Sequence, residues 1–406
     1  MKPLEGVKVV ELGTHIAVPM AARLLADWGA QVIKVESLTG DLWRSYGLNV
    51  RTPVTDEENP IFAVPNSNKK LIALNLKEEK GREILLELLK DADVFMSNVR
   101  LKGLKKLGLD YESLAPRFPK LVYFHFTGYG YEGPWASRPG FDIAAFWSAG
   151  GMLGSWTREG TEAFAPSAAF GDATVASMAA AGVLAGVVGS KASGKGCYLT
   201  TSLFAAAMWY NFGDVIASQP QYGLRRPAGK EAKGNANPFL FPYLCQDGRR
   251  VYLAALEFER NYAKCLTVLG LEQYIDDKRY NTLPEYIKHS EGFMEITRNA
   301  FLQRPSGEWI RRFGEADIVI QEVMTASELS TLEQAWAEDL LTRVEYSEHT
   351  TALPNTPVKF IGGERARTQQ VGGVGCHTKQ VLLALGFTGE QVDALVAQGV
   401  VRTGEA

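Results

Sequence analysis

Residues 7–36 read VKVVELGTHIAVPMAARLLADWGAQVIKVE, and this stretch decides the fold. Val7–Leu12 and Gln31–Glu36 are short runs rich in β-branched residues, which is typical of buried strands. Between them, Pro19–Trp28 has the composition of a helix with proline in its first turn. Strand, helix and strand in this order predict a βαβ unit and therefore a parallel sheet.

The alternation of strands and helices continues along the chain. Leu71–Leu76, Val94–Ser97 and Leu121–Phe126 are further predicted strands, and Lys77–Lys90 is a predicted amphipathic helix. Alternating elements are typical of a parallel sheet covered by helices on both faces. The sequence therefore predicts an α/β fold for the first part of the chain.

Ligands of such sheets bind beyond the carboxyl ends of the strands. The corresponding loops are Gly13–Val18, Asn98–Lys102 and Thr127–Gly133. Several basic side chains follow or flank predicted strands, and they either hold phosphate groups or form a solvated charged surface. They are Lys69, Lys70, Lys77, Arg100, Lys102, Lys105 and Lys106.

Composition limits the class of protein. The chain has 406 residues, which exceeds the roughly 250–300 residues of a single core, so two domains are expected. Its 46% hydrophobic and 22% charged residues are typical of a globular enzyme. A net charge of -3 argues against binding to nucleic acid or to a membrane surface through overall positive charge.

Cysteine and histidine positions provide no signal for a metal site. The four cysteines lie far apart without CxxC spacing, and the five histidines lack HxxxH spacing, so we predict reduced thiols and no metal. The N-terminus enters a strand without a signal peptide, and no stretch is typical of a membrane span. A cytoplasmic protein is expected.

After about residue 225 the pattern changes to a smaller α+β domain. Phe239–Cys245 and Arg250–Leu256 flank Asp247-Gly248, which is a hairpin turn signal. Charged helical segments follow at Glu259–Leu269 and Gly307–Gly314.

The predicted domain boundaries follow from these changes. Residues 1–215 form the first part of the large domain, residues 225–325 the small domain, and residues 330–406 return to the large domain through two helices. Linkers are expected near residues 215–235 and 325–355, and Val358–Ile361 has the composition of a strand.

One carboxylate, Asp172, directly precedes a long run of small apolar residues, Val175–Gly189. Aspartate is a preferred helix cap, and the positive end of the helix dipole also favours an ionised carboxylate that can act as a nucleophile. Position alone leaves both roles open. The first βαβ loop, Gly13–Val18, lacks the GxGxxG sequence of a dinucleotide site, no Walker sequence occurs, and Gly194-Lys195-Gly196 is interpreted as a turn.

Several short motifs together resemble the class III, CaiB/BaiF-like CoA-transferases over essentially the whole chain. They are Glu11–Pro19, Leu25–Glu36, Asn66–Lys70, Asn98–Arg100, Gly128–Gly130 with Gly133-Pro134, Gly171-Asp172 and Gly194–Gly196. The resemblance implies a Rossmann-like large domain built from both chain ends, a small middle domain, and an interlocked homodimer. It also implies that Asp172 is the catalytic nucleophile.

The resemblance further implies a set of contacts to coenzyme A at the strand ends. These residues are Ile16, Ala17, Leu74, Asn75, Leu76, Lys77, Asn98, Val99, Arg100, Lys106, Phe126, Thr127, Gly128 and Tyr129. Ser37 and Thr127 stand where relatives can carry Arg and Lys. Gly234–Asn237 replaces the glycine-rich loop that closes over the site in some members.

The implied substrates are acyl-CoA and carboxylic acids, with coenzyme A as a substrate and no permanently bound cofactor. The resemblance is greatest to the branch that moves CoA from a 2-enoyl-CoA, such as cinnamoyl-CoA, to a 2-hydroxy acid, such as (R)-phenyllactate or 2-hydroxyisocaproate. A 2-hydroxyacyl-CoA dehydratase is then an expected partner. Aromatic residues that either line the acyl pocket or belong to the core are Trp147, Trp156, Phe204, Trp209, Tyr210 and Phe212.

Two other functions remain open from the residues. An α-methylacyl-CoA racemase needs an acid and a base. The related racemases carry histidine in a Gly-His-Asp segment, whereas the corresponding segment here, Gly140-Phe141-Asp142, carries phenylalanine. A catalytically inert CoA-binding subunit of a dehydratase complex is the other alternative.

Overall fold

The structure is a computed structural model, and it describes residues 2–157, 161–167, 169–222, 237–363 and 366–404. The chain divides into two compact units. Unit 1 comprises Met1–Thr157, Ala163–Arg226 and Glu333–Ala406, and unit 2 comprises Arg158–Glu162 and Pro227–Leu332. Unit 1 is therefore assembled from both ends of the chain, with unit 2 inserted between them.

The described part of the chain contains these strands and helices. The strands are β1 (Lys8–Leu12), β2 (Gln31–Glu36), β3 (Lys70–Leu74), β4 (Val94–Ser97), β5 (Val122–Thr127), β6 (Cys197–Ser202), β7 (Leu240–Leu244), β8 (Arg250–Ala254), β9 (Ile320–Glu322), β10 (Leu341–Glu345), β11 (Thr350–Pro354) and β12 (Val401–Arg402). The α-helices are α1 (Ala17–Asp27), α2 (Pro60–Asn66), α3 (Glu79–Lys90), α4 (Leu101–Leu107), α5 (Tyr111–Leu114), α6 (Met152–Trp156), α7 (Phe170–Ser193), α8 (Leu203–Tyr210), α9 (Phe212–Ala217), α10 (Phe258–Leu269), α11 (Leu283–Lys288), α12 (Ser290–Phe301), α13 (Ser306–Glu315), α14 (Ala326–Leu329), α15 (Glu333–Ala337), α16 (Thr378–Ala384) and α17 (Gly389–Ala397). Short 3-10 helices lie at Leu42–Val50 and Glu272–Tyr274, and a π-helix lies at Ile143–Ser148.

A seven-stranded sheet forms the centre of unit 1. Its order is β12-β3-β2-β1-β4-β5-β6, and all neighbours pair in parallel except β12, which is antiparallel to β3. The chain runs outward from β1 in one direction through β2 and β3, and in the other direction from β4 through β5 and β6. The direction of winding changes between β1 and β4, and in such sheets the carboxyl ends at this point border the ligand crevice.

Helices cover both faces of this sheet. On one face, Val9, Met96 and Phe124 belong to a core that includes α1 and α7. On the other face, Val10 and Phe95 belong to a core that includes α3, α16 and α17. Burial on both faces explains why apolar residues occupy consecutive positions in these strands, as in Val9-Val10 and Phe95-Met96. The predicted α/β fold with a parallel sheet is confirmed.

Unit 2 has its own core. The three-stranded antiparallel sheet β7-β8-β9 packs with α10, α12 and α13 through buried side chains such as Tyr243, Phe293 and Trp309. β7 and β8 form the predicted hairpin, and Gly248 at its turn has φ +79°.

The C-terminal part differs from the prediction in two ways. The boundary between the units, Leu332–Glu333, lies within the expected linker at 325–355, but this segment contains α14, α15 and the antiparallel pair β10–β11. The expected strand Val358–Ile361 is wrong, because these residues are irregular. Predicted features at residues 223–236, including Gly234–Ala236 of the loop segment, lie outside the described residues.

Helix α7 corrects another expectation. It is 24 residues long, and an 18-residue window in it has a mean hydropathy of 1.7, so by length and composition it passes as a membrane span. Core helices pass the same test, and the face of α7 that carries Val175, Ala179 and Val183 is buried against the sheet and α1. The apolar run therefore serves at least partly as core.

Candidate functional site

The loops after β1 and β4 are joined directly. The backbone N–H of Thr14 donates to Asn98 Oδ1 at 3.0 Å, and Asn98 Nδ2 donates to the carbonyl of Thr14 at 2.8 Å. Ser97 Oγ donates to the carbonyl of Leu12 at 2.8 Å. These bonds fix the two loops that border the crevice.

His125 joins the loop after β4 to the segment after β5. Its Nε2 lies 2.7 Å from the carbonyl oxygen of Val99, and its Nδ1 contacts the hydroxyl of Tyr131. A carbonyl only accepts hydrogen bonds, so Nε2 carries the proton and Nδ1 accepts from Tyr131. Burial lowers the pKa of His125, which favours this neutral form. His125 is therefore a structural brace at the sheet edge.

A buried charge cluster lies beneath the first loop. Lys34 Nζ is 2.9 Å from Glu11 Oε1 and 2.7 Å from the carbonyl of Gly13. Lys69 Nζ is 2.7 Å from Glu11 Oε2, and all three charged side chains are fully buried. Lys69 thus neutralises an internal carboxylate, and the alternative that it holds a ligand phosphate is wrong.

Asp41 extends this cluster to the loop itself. Its Oδ2 pairs with Lys34 at 2.9 Å, and its Oδ1 accepts the backbone N–H of His15 at 3.1 Å. Although burial opposes the ionised form, Lys34 and these backbone donors hold the pKa of Asp41 below its usual range. His15 has φ +63°, a left-handed conformation uncommon for a residue other than glycine. The buried ion pairs therefore support an unusual backbone turn in the first loop.

All but one of the residues predicted to contact coenzyme A lie at or beyond the carboxyl ends of parallel strands. Ile16 and Ala17 are buried at the start of α1, and Leu74–Lys77 begins at the last residue of β3, which lies two strands from β1. Asn98–Arg100 follows β4, with Arg100 exposed, and Phe126–Tyr129 begins within the end of β5. Lys106 is the exception, because it is exposed in the last turn of α4.

Asp172 occupies the first turn of α7. The helix begins after Ala169, whose φ is +66°, and Asp172 makes no side-chain capping bond. The cap interpretation of Asp172 is therefore wrong. Its carboxylate is instead available for other interactions, on a partly buried residue.

A second carboxylate meets the backbone of this turn. Asp142 Oδ1 accepts the N–H of Asp172 at 3.1 Å. Between them, Gly171 packs so closely that a Cβ there would lie 2.2 Å from Asp142 Oδ1 and 2.4 Å from the ring of Phe146. Only glycine fits at position 171. In the Gly171-Asp172 motif, the glycine is therefore required by packing, whereas the aspartate supplies the chemical group.

The ionisation of Asp172 is strongly altered. Burial, and then the negative charge of Asp142, raise its pKa to about 7. Near neutral pH, Asp172 is consequently present in both protonated and ionised forms. A desolvated carboxylate of high pKa is a better nucleophile when it is ionised.

A close backbone approach ties Asp142 to the end of β5. A Cβ at Gly128 would lie 2.8 Å from the Cα of Gly140, and the reverse distance is the same. The adjacent Phe141 ring is mostly exposed, and its centroid lies 5.4 Å from that of His15. Phe141 thus connects the Asp172 side of the site to the first loop.

Aromatic side chains form a cluster at the start of α7. The ring of Trp147 is 5.5 Å from Phe170, 5.4 Å from Trp156 and 5.9 Å from Phe164. We call Trp147, Trp156, Phe164 and Phe170 the aromatic cluster; the last three are well exposed, whereas Trp147 is buried. Such a cluster offers apolar surface to a bulky acyl group.

The other predicted aromatic residues are not part of this cluster. Phe204 packs on Trp135 with centroids 5.8 Å apart, and Trp209, Tyr210 and Phe212 are exposed on α8 and α9. Sequence reasoning missed Phe164 and Phe170. It also gave no role to Asp142, although Gly140-Phe141-Asp142 is visible as a motif. Within the described residues, no group of three or more His, Cys, Asp or Glu side chains is arranged to hold a metal ion.

Comparison with known proteins gives a consistent result. A sequence model of CoA-transferase family III matches residues 4–378. The chain is 38% identical over 400 residues to an (R)-2-hydroxy-4-methylpentanoate CoA-transferase of Clostridioides difficile, covering 98% of this chain and 99% of the relative. It is 36% identical over 395 residues to a cinnamoyl-CoA:phenyllactate CoA-transferase of Clostridium sporogenes, covering 96% and 95%. The crystal structure of a CAIB/BAIF family protein from Brucella suis is similar with a TM-score of 0.78 and 26% identity, covering 94% of this chain and 99% of that one.

Proposed function

The chain belongs to CoA-transferase family III, and from this premise we propose that it moves CoA from a 2-enoyl-CoA to a 2-hydroxy acid through Asp172. Cinnamoyl-CoA is the donor we propose to test first, with (R)-phenyllactate and 2-hydroxyisocaproate as acceptors. The names of the two relatives support this substrate class. The observation that carries the role of Asp172 is its partly buried position in the first turn of α7, with a pKa of about 7 and no capping bond.

The proposed reaction begins when the Asp172 carboxylate attacks the thioester carbonyl of the donor. The carbon–sulfur bond breaks, leaving a mixed anhydride and a CoA thiolate. The thiolate then attacks the aspartyl carbonyl, which releases the donor acid and leaves an aspartyl-CoA thioester.

The second half repeats these steps with the acceptor. The incoming carboxylate attacks the aspartyl thioester, a second anhydride forms, and the thiolate attacks the carbonyl of the acceptor. New acyl-CoA leaves and Asp172 is regenerated as a carboxylate. An activated acyl group is present throughout, so the reaction consumes no ATP, and water must be excluded from each intermediate.

We assign the CoA site to the strand ends of unit 1. Backbone groups at Ile16, Ala17 and Asn98 border the crevice, while exposed Arg100 and Lys106 are suited to phosphate oxygens. In this proposal the thioester extends from the crevice toward the first turn of α7. The contact between Phe141 and His15 supports it, because it connects the two regions.

The aromatic cluster supports a bulky apolar acyl group. Phe170 lies two residues before Asp172 in the chain, and its ring packs on Trp147. In this proposal the acyl group extends from Asp172 to the exposed rings of this cluster, and burial of apolar area favours binding by about 25 cal/mol per Å². Aryl and branched aliphatic acids satisfy this condition better than oxalate or formate.

Racemisation is disfavoured by Phe141. A racemase of this family needs a proton acceptor and a proton donor, and a phenyl ring carries neither. The assignment as an inert scaffold subunit is disfavoured by the altered pKa of Asp172, because such tuning is typical of reacting groups.

We further propose a cytoplasmic homodimer that supplies a 2-hydroxyacyl-CoA dehydratase with its substrate. An exposed apolar face on α8 and α9 supports the dimer; it consists of Trp209, Tyr210, Phe212 and Ile216. Apolar patches of this kind typically mark subunit interfaces.

Mass spectrometry tests the covalent step. The purified protein is incubated with cinnamoyl-CoA in the absence of an acceptor acid, and intact and peptide masses are recorded. We expect an adduct equal to CoA less one water on the peptide containing Asp172. Asp172→Asn should give none, while Asp247→Asn, in unit 2, should react like the wild type.

An acceptor panel tests the substrate class. After adduct formation, (R)-phenyllactate and 2-hydroxyisocaproate should each release the CoA as a new thioester faster than succinate, oxalate or formate. Preference for any of the last three contradicts the proposed acceptor. A wild-type protein that forms no adduct but exchanges the α-proton of a 2-methylacyl-CoA contradicts the transferase mechanism itself.

A further inference from the structure

The side chain of Asp142 is built into the start of α7 from outside that helix. It precedes the π-helix Ile143–Ser148, and its carboxylate accepts the N–H of Asp172 across 30 residues of sequence. Burial raises the pKa of Asp142, and the backbone groups of Asp172, Gly171 and Ala169 oppose this rise because they favour the ionised carboxylate. Asp142 thus takes the place of the missing N-cap side chain of α7.

The fit around Asp142 is tight. The residue is 5% exposed, and the absence of a side chain at Gly171 is what allows Oδ1 to reach the helix start. Gly128 and Gly140 approach each other closely enough that neither tolerates a Cβ, which fixes the backbone two residues before Asp142. Three glycines therefore serve to place one carboxylate.

The second oxygen of Asp142 faces the aromatic cluster. Oδ2 and the indole Nε1 of Trp147 are both buried without another hydrogen-bond partner, and the interaction with this indole favours the ionised carboxylate. Asp142 therefore holds the first turn of α7 through one oxygen and faces Trp147 with the other.

We propose that Asp142 is a positioning residue of the transfer reaction, which fixes the first turn of α7 and thereby directs the Asp172 carboxylate toward the thioester carbonyl. The inference rests on the proposed function of Asp172. A carboxylate held this close also repels the ionised form of Asp172. Conversion of Asp172 to a neutral anhydride or thioester relieves that repulsion, so Asp142 favours the covalent intermediates over the free nucleophile.

The charged surroundings of Asp172 are simple enough to test this effect. Asp142 is the charged group that acts on Asp172 in the described part of the chain, and the π-helix that follows it carries no titratable side chain. The His15 ring reaches this region through its contact with Phe141. Removal of the Asp142 charge should therefore lower the pKa of Asp172. In a plot of kcat against pH, the acid limb, where kcat falls as Asp172 becomes protonated, should then move to lower pH.

Two substitutions separate position from charge. Asp142→Asn keeps an oxygen acceptor of the same size but removes the charge, and Asp142→Ala removes both. For Asp142→Ala we expect kcat to fall about 100-fold, with KM for the acyl-CoA nearly unchanged, because the nucleophile is misplaced. For Asp142→Asn we expect a loss within about 10-fold, the worth of one hydrogen bond, together with the shifted acid limb.

A matched control comes from Asp247, which accepts backbone N–H groups of Ser306 at 2.8 Å and Arg249 at 3.1 Å within unit 2. Asp247→Asn should leave kcat and its acid limb as in the wild type. Circular dichroism and size-exclusion chromatography establish that each variant is folded. If Asp142→Ala does not fold, the pH profile of Asp142→Asn decides alone.

The outcomes are distinct. An unchanged acid limb in Asp142→Asn, or wild-type kcat in folded Asp142→Ala, overturns the proposal for Asp142 while adduct formation at Asp172 stands. Absence of the adduct in the wild type overturns the proposed function instead. A shifted acid limb, with slower formation of the adduct at an unchanged KM, establishes Asp142 as a positioning residue.

Discussion

The buried carboxylate of Asp172 has a consequence for stability as well as for chemistry. Its pKa is about 7 in the folded protein, above the ordinary value of 3.8. The folded state therefore binds more protons than the unfolded state between these values, and stability falls as pH rises through this window. We predict that Asp172→Asn has a higher Tm than the wild type at pH 8, and that the gain disappears at pH 4, as measured by thermal unfolding.

For Asp247 the pKa shift, and with it the pH dependence of stability, has the opposite direction. Backbone and hydroxyl donors of Ser306, together with the N–H of Arg249, hold the pKa of Asp247 below its usual value despite the opposing desolvation. Stability from Asp247 is therefore present at neutral pH and lost in acid. Asp247→Asn should lower Tm at pH 8, and a fall in Tm at pH 8 for Asp172→Asn as well would contradict the assignment of a raised pKa.

At the residue scale, the sequence identifies Asp172 but not its surroundings. An aspartate before a long apolar run is conspicuous, whereas Asp142 acts from 30 residues away. Its contact depends on a π-helix and on close approaches between glycines, which have no local sequence signal. For the same reason the cap role of Asp172 is a reasonable expectation from position and is nevertheless wrong.

At the scale of elements, the cluster of Glu11, Lys34 and Lys69 joins β1, β2 and the residue before β3. Removal of one partner from a buried pair leaves an uncompensated charge, at a cost of about 3–5 kcal/mol. We predict that Glu11→Gln lowers the free energy of unfolding by this amount in urea titrations, since it removes the carboxylate that pairs with buried Lys69, whereas Lys34 keeps its pair with Asp41.

The exposed pair of Lys8 with Asp91, 3.3 Å apart, is the control on the same strand. Lys8→Ala should change stability by no more than about 1 kcal/mol, because exposed ion pairs contribute little. Equal effects of the two substitutions would show that the buried cluster contributes no more to the free energy of unfolding than an exposed ion pair does.

The βαβ elements are predictable because their periodicity and composition act locally. The first two strands and the helix between them match the predicted unit within three residues at either end. The hairpin β10–β11 is not predictable in this way, because its strands are short and polar. It is stabilised by contacts with residues of unit 1 that are distant in the sequence. The role of Lys69 is not predictable from sequence for the same reason, because burial of a lysine depends on its partner in the fold.

At the scale of the whole molecule, the exposed apolar face of α8 and α9 predicts self-association. Trp209 is 68% exposed and Phe212 is 65% exposed, which is unfavourable in water unless another surface covers them. We predict that the wild type sediments at about twice the chain mass of 44.5 kDa and that Trp209→Lys with Phe212→Lys sediments as a monomer.

Lys191→Glu, an exposed charge change on α7 outside this face, should leave the wild-type mass unchanged. A wild type that sediments as a monomer at micromolar concentration would show that the apolar face has another purpose. The sequence alone indicates such association only through the family resemblance, because exposed and buried aromatic residues look the same in a linear pattern.

The position of β12 determines the order in which the protein can be completed during synthesis. Val401 and Arg402 close the sheet by pairing with Leu74 and Ala73, more than 300 residues earlier in the chain. Unit 2 has left the ribosome and can build its own core before that pairing is possible. Throughout this interval β3 presents an open edge, the kind of surface on which strands of other chains can pair.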